Sequence, residues 1–402
     1  MRTLKNSSIA LIILLLCTSC TSLTSKGTSA KECWICTWLS AQQLTERRNN
    51  PPAPGLTNNT LRQVVHVTLG GSKLRIQFSN AYGTSPVTIQ AAHLAVSKGG
   101  SEIETATDKA LMFNGSPSVT IPAGEEVYSD TIDFDVKPLS NLAVSIYFGE
   151  TSPNVTGHPG SRTTSYIQTG NIVTAPEMQS AAKIEHWYNL SRIDLCLDDS
   201  YACVVTLGDS ITDGRGSTDN KNDRWPDFLA RRLLANPDTA KVGMLNQGVG
   251  GNNVVNGGLG VAATKRFDHD VLDPNGVRWV IILEGVNDIG NSFNPRIADQ
   301  VIAAYEQFIE KAHAKGIKVY ASPILPFMRS QYRNETARET INNWIRTSGK
   351  FDAVIDMDAA VRDPANPNQL LPQYDSGDHL HLSPAGYQKM ADSIDLNLFK
   401  ID

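Results

Sequence analysis

The sequence predicts two domains of different class: an all-β sandwich over residues 31–195, then an α/β sandwich with a parallel sheet over residues 200–402. Three observations predict this. A chain of 402 residues favours two domains over one. From about Cys33 to Asp194, short apolar runs of period two are separated by turn residues, with almost no helical periodicity, as in antiparallel sandwiches. From Ala202 the apolar runs become continuous and alternate with amphipathic stretches, as expected when helices cover both faces of a parallel sheet.

Residues 1–30 form a targeting segment. Arg2 and Lys5 precede the apolar run Ile9–Cys17, which is too short to span a bilayer comfortably as a mature helix. Thr18 and Ser19 then lead to Cys20, in the pattern of a lipoprotein processing site that would make Cys20 the lipidated first residue. Ordinary signal cleavage after Ala30 is the alternative. Either route takes the protein out of the cytoplasm, to a bacterial periplasm, a cell surface or the medium. Membrane association is expected only through that anchor. Hydrophobic residues make up 41% and charged residues 19%, enough for a sizeable core. The net charge of −5 argues against a nucleic-acid partner, which would call for a basic stripe.

Export permits disulfides. Cys196 and Cys203 flank a short polar loop at the domain junction, and a bridge between them is the expected pairing. Cys33 and Cys36, in Cys-Trp-Ile-Cys, have no second pair at zinc spacing and mark a strand start. In the β-half, Arg62–Asn80 reads as a hairpin of two alternating runs joined at Gly70-Gly71-Ser72. Pro86–Ser97, Ser118–Gly124, Tyr128–Val136 and Asn141–Gly149 continue the strand pattern. His66, His93, His158 and His186 fall here and read as structural, with His158 the one on a loop that could reach a substrate.

In the second half, Ala202–Ser210 reads as a strand and Arg224–Ala235 as a helix. Lys241–Val249 and the run opening at Arg278 read as strands, and Pro295–Gly316 as an amphipathic helix closed by glycine. Ile317–Leu325 is a strand, Thr336–Gly349 a helix and Ala353–Asp358 a strand. Ser383 caps the last helix, with Pro384 at its first position. Asp268-His269-Asp270 reads as a solvated helix end.

Four loops belong on one edge of such a sheet, beyond the carboxyl ends of the strands, where function gathers. They carry Gly208-Asp209-Ser210, Asn246–Asn253, Glu284–Asp288 and Gly377–Tyr387. Together they supply a serine, glycine amides, an asparagine amide and an Asp/His pair. Those are the parts of a serine hydrolase: nucleophile, oxyanion hole, base and orienting acid. The glycine-rich run Gly248–Gly260 lacks the Gly-Lys-Ser/Thr ending of a phosphate cradle. Asp378, His379 and His381 are too crowded to suggest a metal site.

These blocks resemble the SGNH or GDSL hydrolases. Gly208–Gly214 is similar to the first block, Gly248–Asn252 to the second, Gly285–Asp288 to the third, and Asp378–His381 to the last. The resemblance implies a three-layer α/β/α, flavodoxin-like catalytic domain with Ser210 as nucleophile, His381 as base and Asp378 as its orienting acid. It also implies an oxyanion hole from the Ser210 and Gly251 amides and the Asn287 side chain. The spacing, and the Leu-Ser-Pro-Ala-Gly-Tyr that follows, favour His381 over His379. No metal or organic cofactor is implied. The β-half resembles the domain that precedes the catalytic one in secreted esterases of this family, a branch linked to deacetylation of polysaccharides such as xylan. The expected partner is therefore an acylated carbohydrate or small ester. A lipase, lysophospholipase or thioesterase acting on longer acyl chains is the alternative within the class. A non-catalytic carbohydrate-binding protein is the alternative outside it.

Overall fold

In a computed structural model, residues 33–290, 292–328 and 334–401 are described. Residues 1–30, read above as a targeting segment, and Cys20 within them lie outside the described residues. Among the described residues, no helix is long and apolar enough to cross a membrane.

The first half is built from antiparallel sheets. One runs Cys33–Leu39, Leu190–Leu197, Gly71–Ser79, Ile132–Val136. The facing sheet is centred on Asn59–His66, flanked by Asn141–Phe148 and Ser165–Thr169, with Val87–Gly99 beyond. Buried side chains of both, such as Leu61 and Val65 against Leu74, Ile76 and Phe78, belong to one core. The hairpin expected over Arg62–Asn80 is not formed. Its two runs enter different sheets: Leu74–Phe78 alternates buried and half-buried residues, as one face of a sandwich requires, whereas Thr60–Val65 is buried throughout and demands cover on both faces. The linking glycines make a corner instead of a hairpin turn, and a side chain at Gly70 would collide with Pro138.

The second half is a parallel sheet ordered Val242–Gly248, Ala202–Gly208, Val277–Leu283, Lys318–Ala321, Ala353–Val354. In chain order this is 2-1-3-4-5, the flavodoxin-like arrangement, whose switch point lies between the first and third strands. Helices Trp225–Ala235, Ile297–Ala314, Glu335–Thr347 and Pro384–Asp392 each bury one face. Ser383 caps the last by accepting from the Gly386 N–H.

The two halves share a core, and residues 32–402 form one compact unit. Strand Cys33–Leu39 runs on into a parallel bridge between Ser40 and Asn246, covering the free edge of the parallel sheet. The bridge expected between Cys196 and Cys203 is absent. Cys203 is a buried free thiol on the central parallel strand, and its Sγ donates to the Cys36 carbonyl at 3.0 Å. Cys196 sits in the antiparallel sheet opposite Trp34. Nor is Asp268–Asp270 solvated throughout: Asp270 is buried, 2.8 Å from Arg266.

Candidate active site

Strand Ala202–Gly208 is buried along its whole length and ends level with its neighbours, Gly208 lying opposite both Gly248 and Leu283. The loops after these three strands therefore leave one edge together. Asp209 stops the strand and caps the single turn Ser210–Asp213, its carboxylate accepting from Ile211 N–H at 2.9 Å. Gly208 and Gly248 let this turn sit on the strand ends, since a Cβ at either would strike Thr212 or Asp213.

Ser210 Oγ lies 2.8 Å from His381 Nε2, and His381 Nδ1 lies 2.6 Å from Asp378 Oδ2. Asp378 Oδ1 accepts from the backbone N–H groups of His381 at 2.9 Å and Leu380 at 3.1 Å. Partial burial opposes ionisation of Asp378. The His381 backbone and imidazole outweigh it and hold the carboxyl at about 2. An ionised Asp378 accepts only, so Nδ1 carries the proton and Nε2 presents its lone pair to the serine hydroxyl. His379 faces away. It is exposed, with its Nδ1 2.6 Å from Asp375.

Gly251 adopts a left-handed φ of 72° at the wall of the same cleft. The backbone N–H groups of Ser210 and Gly251 donate to no acceptor among the described residues. Asn287 is the second residue of the turn Val286–Gly290, and its Nδ2 donates to Asn252 O at 2.8 Å, which fixes the amide beside the cleft.

Behind these groups lies a buried network that sequence reasoning missed. The Arg266 guanidinium donates to Asn252 Oδ1, to the Gln247 and Gly208 carbonyls and to Asp270. It thereby joins the end of strand Ala202–Gly208 to the Gly251 loop. Asp288 holds that loop too, accepting from Val254 N–H at 2.7 Å and Val255 N–H at 3.0 Å. Burial pushes the carboxyls of Asp209 up to about 7, Glu284 to about 8 and Asp288 to about 6.

The cleft encloses about 420 Å³. One wall is catalytic-half sequence: Ser210, Asp213, Arg215, Gly250, Gly251, Leu259, Asn287, Leu380 and His381. The other wall comes from the β-half, with Gln43, Glu46, Arg48, Asn49, Pro159, Gly160, Arg162 and His186. No sequence motif marks these. His158 lies just beneath, bridging the Ala41 carbonyl at 2.8 Å and Asp213 Oδ1 at 2.9 Å, and so ties the halves together.

Fold and site together define a hydrolase with a parallel-sheet α/β catalytic half. Residues 206–389 match the GDSL-like Lipase/Acylhydrolase family, and over this half the chain is an SGNH/GDSL hydrolase, a carboxylic ester hydrolase. No curated protein matches the chain. Among solved structures it is similar to a G-D-S-L family protein from Desulfitobacterium hafniense, at 22% identity and TM-score 0.38, covering 48% of this chain and 97% of that one. It is also similar to a GDSL-like lipase from Bacteroides thetaiotaomicron, at 23% and 0.35, covering 47% and 84%. A third is a catalytic mutant of an acetylxylan esterase from Geobacillus stearothermophilus, at 19% and 0.36, covering 48% and 91%.

Proposed function

We propose that this chain is an exported serine esterase that removes acetyl groups from plant cell-wall polysaccharide such as xylan. The observation that carries the reading is the Ser210–His381–Asp378 hydrogen-bond chain opening onto a polar cleft. Among the described residues Leu259, Leu380 and Pro159 are the apolar side chains in its lining, beside many polar ones, a mixture compatible with a small acetyl group on a hydrated sugar. The targeting segment supports export.

Ser210 Oγ attacks the ester carbonyl carbon as its proton passes to His381 Nε2. The Ser210 and Gly251 N–H groups and the Asn287 amide receive the developing oxyanion. His381 then gives its proton to the departing sugar oxygen, leaving an acetyl-serine. Water adds to that intermediate by the same route in reverse, and acetate leaves. Asp378 holds the imidazole tautomer and balances the imidazolium charge.

The test is acetate release from acetylated xylo-oligosaccharides, with Ser210→Ala alongside. Wild type should release acetate, and the variant should lose on the order of 10⁴-fold or more in kcat with its melting temperature nearly unchanged. Near-wild-type turnover by the variant would remove Ser210 from its role. Turnover of long acyl esters but not of acetylated sugar would replace the substrate class.

A further inference from the structure

The β-half wall of the cleft carries charge that the hydrolytic chemistry does not use. Arg162 is a bulky residue held at a left-handed φ of 50°. Such a backbone is strained for a residue with a Cβ and tends to persist at ligand sites. Its Nε is buried with no hydrogen-bond partner among the described residues. Its contact with Asp213 Oδ2 is long, at 3.5 Å, while Asp213 Oδ1 is already engaged by His158. Asp213 ends the single helical turn that Ser210 begins, and Arg162 and Ser210 line the same cleft. Arg48 and Arg215 line the same cleft, exposed, with no ion pair among the described residues. The opposing carboxylates are Glu46, whose oxygens accept from Gln43 and Asn49, and Asp213. Three arginines against two carboxylates leave one positive charge over, in a chain whose net charge is −5.

We propose that this wall is a subsite for a carboxylate on the sugar side of the ester, with Arg162 at its centre and Arg48 and Arg215 at its mouth. This rests on the ester-hydrolase reading and narrows the substrate to a glycan carrying acidic sugars. A guanidinium offers a planar fork of donors that matches a carboxylate, and a single surplus charge suits a singly charged group. The wall belongs to the β-half, so that half selects the substrate while the other performs the chemistry.

The experiment compares kcat/KM on acetylated oligogalacturonides with that on acetylated xylo-oligosaccharides of equal length. Wild type should favour the acidic substrate by about tenfold at low salt, the worth of one charge-assisted hydrogen bond, and the preference should shrink as salt rises. Arg162→Gln should erase most of the ratio and Arg162→Lys should keep part of it. Each ratio is read on one preparation, so partial misfolding cancels. A wild-type ratio at or below one, or equal losses on both substrates in Arg162→Gln, would overturn the subsite. If wild type hydrolyses p-nitrophenyl acetate without acidic preference, only the subsite fails. If it hydrolyses no ester at all, the esterase reading fails with it.

Discussion

His379 and His381 stand two residues apart and face opposite ways. His379 takes a left-handed φ of 61° and turns its ring onto Asp375 in solvent. His381 is 3% exposed and joins Asp378 to Ser210. His381→Ala should therefore lower kcat by on the order of 10³–10⁴-fold, while His379→Ala should leave it near wild type. Steady-state rates on p-nitrophenyl acetate check this, and the reverse ranking would move the base to His379. Ser210, Gly251, Asn287, Asp378 and His381 were legible because each follows a strand or precedes a capped helix in a local pattern. Arg162 was not, because its meaning comes from Asp213, 51 positions away. Cys203 misled for the same reason. Nearness in sequence to Cys196 suggested a bridge, but its side chain points into a core that the linear spacing does not reveal.

At the level of elements, the catalytic edge is held by buried charge. Arg266 grips the end of Ala202–Gly208 and the loop carrying Gly251, with Glu284, Asp209 and Asp288 close by in the same buried region. Among the described residues neither oxygen of Glu284 makes a well-formed hydrogen bond, its nearest cation being the Arg266 guanidinium at 3.5 Å. Its carboxyl, pushed to about 8 by burial, and those of Asp209 and Asp288, at about 7 and 6, all lie above their unfolded values near 4. The folded state thus holds protons that the unfolded chain releases, and stability present at about pH 4–5 is lost as pH rises through 6 to 8. Thermal unfolding should give a higher Tm at pH 5 than at pH 8.5, and Glu284→Gln should flatten that decline. A Tm that rises over this range, with the same slope in the variant, would show that these carboxylates ionise freely in the folded protein. The strand–helix alternation of this half was readable because each period is local. The route of Asn59–His66 and Gly71–Ser79 into separate sheets was not, since pairing partners are set by residues such as Asn141–Phe148 and Leu190–Leu197, far along the chain.

For the whole molecule, the two textures in the sequence do not mark two separable bodies. Strand Val242–Gly248 is the edge of the parallel sheet, and it is covered by Cys33–Leu39 and the Ser40–Asn246 bridge. Leu69 fills the space beside Gly243, Ile35 packs on Gly276, and Thr68 Oγ1 accepts from Met244 N–H at 3.1 Å. Trp38 meets Trp187 edge-on at 5.0 Å within the same shared core. Each large apolar side chain returned to water costs about 1.5–3 kcal/mol, so baring this seam consumes much of the roughly 5–15 kcal/mol that holds a typical protein folded. It also exposes a long apolar strand edge, a template for aggregation. A fragment of residues 198–402 should consequently aggregate or unfold without a cooperative transition, while residues 33–402 remain monodisperse by light scattering. If the fragment instead folds, stays soluble and retains full kcat, the β-half is a passenger for stability. Its Arg162 wall would then be its sole contribution, read out as a lost preference for acidic substrate.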